Sequence, residues 1–285
     1  MEFDGTASML AWYIAIELQR LRSESGHTMA QVAERLGCST SHINHIEKGR
    51  DLPKQPEIEV LLEFYGLGER IPSFLELLKA ARRGDDWFTG FAGASPEWFD
   101  LFLGLEAAAE QLESWDPGVI PGRFQIPEYT EHVIRRLRPD LTDAEVQRRI
   151  ALRQARQELL TRPNAPTVWA IIDESVLHRG IPAPAMRRQL LHLDQIAEQP
   201  KVQLRVWKMS SGPAPGLHGP FVMMSLPHLP GLPAVVYTDG PIRGTYHKEP
   251  GEVLVYRNIL TQLHADAAHP EESRAIIRRR AEELA

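Results

Sequence analysis

Cysteine is nearly absent from this chain of 285 residues: the single Cys38 excludes an internal disulfide and a cysteine-built zinc cluster, and it fits a reducing compartment. The histidines show no ligand spacing, so neither a metal nor a cofactor is expected. An excess of positive charge is also lacking. The formal net charge of −6 excludes a basic nucleic-acid coat, and any binding to a polyanion must come from a local surface. Long hydrophobic runs are missing as well. The opening MEFDGTASMLAWYIAIELQR has no basic n-region, its apolar stretch is short and Glu17 follows closely, so it is neither a signal peptide nor a membrane span. A cytoplasmic protein without a membrane partner is expected. Repeats and low-complexity segments are absent. What remains is 43% hydrophobic and 25% charged, the composition of a globular chain with a real core in one large or two ordinary domains.

Residues 1–83 read as five short helices. Leu10, Ile14, Leu18 and Leu21 recur at helical spacing, and the first helix should run from about Met9 to Ser23. Thr28 can cap a second helix that ends at Leu36, and Gly37 suits its left-handed stop. Ser39 can cap a third through Glu47. A fourth carries Ile58, Leu61 and Leu62, and a fifth carries Phe74, Leu77 and Leu78. The aperiodic, glycine-bearing stretch Arg82–Pro96 marks the boundary, with a linker at 84–96 and a second domain at 97–285. Its aromatics, Trp87, Phe88 and Phe91, predict that it docks and is not a free linker. Beyond it the pattern gives a helix over Pro96–Leu112, helices at about 128–138 and 142–161, and another at about Ala185–Glu198. About four strands follow from VWAIIDESVL, VQLRVWKM, FVMMSL and AVVYTD, with a helix-rich tail from Gly251. The fold class is therefore a mainly α five-helix domain followed by an α+β domain.

The stretch TMAQVAERLGCSTSHINHIEKGRDLP carries the sharpest functional signal. Val32, Ala33, Ile43 and Ile46 face inward. Ser41, Asn44, His45 and Lys48 fall on one outward face at i, i+3, i+4 and i+7, flanked by Thr40 and His42. A short helix bearing hydroxyl, amide and imidazole groups suits the reading of base edges in the major groove. Lys48, Arg50 and the exposed helix start at Thr28 suit phosphates. The pattern resembles the Xre/Cro–C1 type of helix-turn-helix regulator over about a quarter of the chain. That family usually has glutamine after the threonine that opens helix two, where it touches the DNA backbone; Met29 stands there instead. Residues 1–83 hold 10 Lys and Arg against 12 Asp and Glu, while 39–54 carry a net +1. One copy is thus expected to bind double-stranded DNA weakly, and a homodimer is expected to supply avidity.

The phrases LEAAAEQLESWDPGVIPGRFQIPEY, IIDESVLHR, HGPFVMM and AVVYTD resemble the C-terminal domain of unknown function found in actinobacterial, WhiJ-like regulators. The resemblance implies a transcription regulator controlled by a ligand or by a small co-encoded protein. It leaves open an antitoxin-like alternative, in which sequestering that partner is the main task and DNA binding is autoregulatory. The usual P-G-L-L-Q-T phrase is replaced by Pro121-Gly122-Arg123-Phe124-Gln125-Ile126, which marks a place where a partner or ligand would differ. Gln125, Arg153, Arg156 and Glu174 form a candidate ligand site or buried ion network. A degenerate phospholipase-D-like half is an alternative for this part of the fold. Its histidine, lysine and acid would correspond to His218, Pro220 and Ser225, and without the cation and the acid no catalysis is expected.

Overall fold

The structure is a computed structural model that describes residues 5–84 and 86–285. The first four residues of the opening run and Asp85 of the boundary stretch lie outside the described residues. The chain divides into two compact units, one of residues up to 90 with 100–108, the other of 91–99 with 109–285.

The first unit contains α1 (Ala7–Glu24), α2 (Met29–Leu36), α3 (Thr40–Glu47), α4 (Gln55–Phe64), α5 (Ile71–Arg83) and α6 (Asp100–Ala108). Thr6 caps α1 by accepting the Met9 N–H. The apolar stripe of α1 (Leu10, Ile14, Leu18 and Leu21) is buried, as are Phe74, Leu77 and Leu78 of α5, which packs on it. The five predicted helices are therefore present, and a sixth joins them. α6 approaches α1 so closely at Gly104 that a methyl group there would run into the Thr6 hydroxyl and lie 2.9 Å from the Met9 Cβ. The helix that follows the expected linker at 84–96, α6, groups with the N-terminal helices. Part of that stretch is anchored, with Asp86 accepting hydrogen bonds from the Ser8 backbone N–H and hydroxyl and Phe88 buried.

Glu17, Glu47 and Glu106 are buried carboxylates of this helical unit. Glu17 of α1, 2% exposed, accepts from Arg20 at 2.7 and 2.8 Å and from Arg70 at 2.9 Å. Glu47 of α3, 6% exposed, is held by a two-pronged bond from Arg22 of α1, Nε to Oε1 at 2.5 Å and a terminal nitrogen to Oε2 at 2.9 Å. Burial of a carboxylate is tolerable only with such compensation.

The second unit is built on one mixed sheet. Its strands are β1 (Gln111–Asp116), β2 (Thr167–Asp173), β3 (Val202–Trp207), β4 (Phe221–Ser225), β5 (Ala234–Thr238) and β6 (Thr245–His247), in the order β3-β2-β1-β4-β5-β6. β1, β2 and β3 are parallel, whereas β4, β5 and β6 continue antiparallel. The helices are α7 (Pro127–Leu137), α8 (Asp143–Gln157), α9 (Ala183–Ile196), α10 (Pro250–Asp266) and α11 (Pro270–Glu283). On one sheet face Trp115, Ile171, Phe221, Met223 and Val236 form a core with Val253, Leu260 and Leu263 of α10. By strand alternation Ser114, Asp116 and Tyr237 point to the other face. The free edge of β3 is occupied near its end: the Val206 carbonyl accepts the Ala268 N–H at 2.9 Å, and the Val206 N–H donates to the Ser273 hydroxyl at 3.0 Å. Among the described residues no helix is long and apolar enough to cross a membrane.

The α+β expectation holds, but among the described residues the four expected strands become six. The predicted helix Pro96–Leu112 stops at Ala108, and Gln111–Asp116 is the strand between β2 and β4. Pairing on both sides overrides the weak strand preference of its Glu and Asp. VWAIIDESVL is strand only to Asp173, after which the Asp173 side chain accepts the Ser175 N–H and opens a 3-10 turn over Glu174–His178.

Candidate nucleic-acid interface

The exposed surface of α2 and α3 is shaped by local chemistry. Thr28 caps α2 in a reciprocal box: its hydroxyl accepts the Gln31 N–H at 3.3 Å, while the Gln31 side-chain oxygen takes the Thr28 N–H at 2.9 Å. Gly37 ends the helix in the left-handed conformation with φ 65°, which a side chain at that position would resist. Ser39 then caps α3 by accepting the His42 N–H at 3.2 Å. Val32, Ala33, Ile43 and Ile46 are buried as predicted and bring the two helices together. The Arg22 clamp on Glu47 fixes the inner side of α3 to α1, leaving the opposite side to solvent.

The eight candidate side chains fall into two groups. Thr40, Ser41, Lys48 and Arg50 are exposed, Asn44 is half-buried, and among the described residues none of the five side chains is in a hydrogen bond or ion pair. Three others are engaged within the protein. The Thr28 hydroxyl and N–H are both spent on the capping box. The His42 ring Nε2 lies 2.8 Å from Oε1 of Glu57 on α4. His45 Nδ1 lies 3.4 Å from Asp51 Oδ2. Glu57 is itself held in place by the Lys54 N–H at 2.6 Å. Burial pushes its carboxyl up, but the Lys54 N–H and His42 outweigh burial and leave it below the ordinary value. The partners Gln31, Asp51 and Glu57 were missed in the sequence. Gln31 was legible as T-x-x-Q, whereas Glu57 pairs fifteen residues away through tertiary packing. Met29 is half-buried at the start of α2. Burial also pushes the Cys38 thiol up.

In the second unit the residues singled out by sequence do not form one cluster. Gln125 is a hub for the loop Pro121–Ile126. Its side-chain amide donates to the Ile120 carbonyl at 2.7 Å, and its side-chain oxygen accepts from Thr130 at 3.0 Å and from Arg153. Arg156 passes within 3.4 Å of where a Gly122 Cβ would stand and lies over the Phe99 ring at 5.6 Å. Glu174 is elsewhere, accepting the Met209 N–H at 2.8 Å, which corrects its expected place beside the arginines. The acid that feels Arg156, together with Arg123, is Asp116 of β1. Burial pushes its carboxyl up to about 6, against the opposing pull of Ser114, Arg123 and Arg156. Arg153, enclosed beside Arg156 and Arg149, is lowered to about 10 by burial first and by those two charges next. His218 is exposed. Among the described residues no three His, Cys, Asp or Glu side chains are grouped to hold a metal ion.

A family model described as a domain of unknown function (DUF5753) matches residues 99–279. The chain belongs to the DUF5753 family. Within the DUF5753 region lie the mixed sheet, the Gln125 hub and Asp116. A second model, described as a helix-turn-helix domain, matches residues 14–70 and spans α2, the Gly37 turn and α3. The helix-turn-helix domain points to a DNA-binding regulator. No curated protein and no solved structure matches the chain.

Proposed function

We propose that this DUF5753 protein is a sequence-specific transcription regulator that binds double-stranded DNA as a homodimer and is controlled through its C-terminal unit by a ligand or small protein. The observation that carries the reading is the uncommitted surface of α3. Thr40, Ser41 and Asn44 present short donors and acceptors with no internal partner, and Lys48 and Arg50 follow at the far end. Such groups read base edges, while the cations set register on phosphates. Thr28 and His42 serve the framework of the interface. His45, whose Nδ1 faces Asp51, has its second ring nitrogen to offer to DNA.

One short recognition helix on a mildly acidic domain gives little specificity by itself, so two copies on two half-sites are required. The Xre/Cro–C1 resemblance and an actinobacterial, cytoplasmic setting accompany this reading. We also propose that the chain is not a phosphodiesterase, because Pro220 and Ser225 stand where such an enzyme needs a cation and an acid.

The test is selection of bound sequences from random duplexes by the full chain, followed by gel shift. Ser41→Ala with Asn44→Ala should lose sequence preference and keep the fold. Unchanged selectivity in that variant overturns the assignment of α3.

A further inference from the structure

The DUF5753 unit has an open groove that neither the helix-turn-helix reading nor the sequence patterns use. Its volume is about 770 Å³, in the range of small-ligand sites. One wall is α7. There Tyr129, Val133 and Leu137 recur four residues apart as an apolar row, and His132 and Arg136 form an adjoining row at the same spacing. The other wall is made of two short loops, Gly118-Val119 and Arg179-Gly180-Ile181. Leu137 is 69% exposed and Val119 38%, so an apolar strip meets water here. A Cβ at Gly118 or Gly180 would meet nothing within 4 Å, so the glycines leave the space open.

The formal charges that line the groove, Arg136 and Arg179, are both positive. In a chain of net charge −6, the neighbours Arg135 and Arg138 are paired with Glu131, Asp143 and Asp140. Arg136 and Arg179, by contrast, are in no ion pair among the described residues. His132 lines the groove beside Arg136. No Asp or Glu lines the groove. An apolar strip bordered by two arginines without acidic partners is complementary to a molecule with an apolar body and an anionic head.

We infer that the α7 groove binds a small free amphipathic anion, a carboxylate or sulfonate with an apolar chain or ring. This deepens the proposed control of the regulator by a ligand and rests on that reading only for its consequence at DNA. The site itself is testable alone.

The experiment displaces 1-anilinonaphthalene-8-sulfonate from the full chain with dodecanoate below its micelle concentration. Dodecanol and dodecyltrimethylammonium serve as uncharged and cationic counterparts. Saturable displacement in the order dodecanoate, dodecanol, dodecyltrimethylammonium is expected. Arg136→Gln with Arg179→Gln should weaken dodecanoate by roughly three- to tenfold, the range of two exposed charge contacts, and leave dodecanol unchanged. Gly180→Leu, which fills open space without a clash, should weaken both. Equal dodecanoate binding by the wild type and both variants overturns the proposal, as does a cation binding as well as the anion. The same proteins are titrated with a selected duplex. If no dodecanoate binds while DNA binding persists, the groove falls and the regulator stands. If dodecanoate binds as expected but the chain has no DNA affinity, the groove stands and the regulator falls.

Discussion

Replacing Arg22 with Met would leave the Glu47 carboxylate, 6% exposed, without its two-pronged partner on α1. The same change removes the bond from Arg22 to the His27 carbonyl at 2.9 Å, which ties the turn before α2. Breaking one side of a buried ion pair costs about 3–5 kcal/mol, because the remaining charge stays desolvated. Arg22 keeps 11% side-chain exposure and water can reach part of the site, so the lower end, about 3 kcal/mol, applies. The assay is hydrogen exchange of α1 and α3 peptides in the full chain. A loss of about 3 kcal/mol should appear as roughly hundredfold faster exchange there, with peptides of the β-sheet unchanged. The double variant Arg22→Met with Glu47→Leu replaces the pair by apolar side chains and should recover most of the protection. DNA affinity should fall in the single variant and return in the double. Exchange within threefold of wild type in Arg22→Met, or no recovery in the double variant, refutes the clamp.

Four further outcomes follow from the same geometry. With Lys48 and Arg50 on phosphates in each of two copies, the logarithm of affinity should fall with the logarithm of salt at a slope of about −4, reduced by about 2 in Lys48→Ala; a slope unchanged by that variant removes Lys48 from the interface. Met29→Gln, which restores the residue usual in the resembled family, should raise the affinity of the dimer for DNA by roughly thirtyfold, one neutral hydrogen bond of about 1 kcal/mol in each of two copies, as read by gel shift, and no gain argues against a backbone contact at this position. Gly104→Ala should cost about 1–3 kcal/mol, measured as increased exchange in α1 and α6, because its methyl group has no room against Thr6 and Met9; wild-type exchange would mean that α6 does not pack there as described. Asp116, with its carboxyl raised by burial from 3.8 to about 6, binds a proton in the folded chain that the unfolded chain has lost. Its contribution is therefore full below pH ~4 and falls by about 3 kcal/mol as pH rises through ~6; Asp116→Asn should flatten the urea-unfolding stability across that window, and an unaltered pH slope refutes the assignment.

Much of the helical unit was legible because its signals are local. Thr28, Gly37 and Ser39 act on backbone groups within three residues, and the inward spacing of Val32, Ala33, Ile43 and Ile46 is a periodic pattern. The outward face was equally legible, but how much of it is uncommitted was not. His42 and His45 look like Ser41 and Asn44 in a helical pattern, and only tertiary packing brings Glu57 to one and the following turn brings Asp51 to the other. β1 escaped notice for a similar reason. Its partners stand more than fifty residues away at Thr167 and Ser225, and its own Glu113 and Asp116 argue locally against a strand. β6 is too short, three residues, to show an alternation. Glu174 was grouped with Arg153 and Arg156 on chemistry alone, since the sequence does not reveal that Glu174 binds the Met209 N–H or that Asp116, at the end of β1, feels the charge of Arg156.

The occupied rim at β3 has a consequence for how copies of this chain can meet. The Val206 amide and carbonyl are already taken by Ser273 and Ala268, so a strand from another molecule cannot hydrogen-bond along that stretch. At the opposite rim β6 pairs only with β5 among the described residues. A head-to-tail contact, β6 of one copy on β3 of the next, would propagate without limit into a filament, and the bonds already made at Val206 work against it. A sheet shared through β6 of two copies, by contrast, would use the same surface twice and close on itself at two.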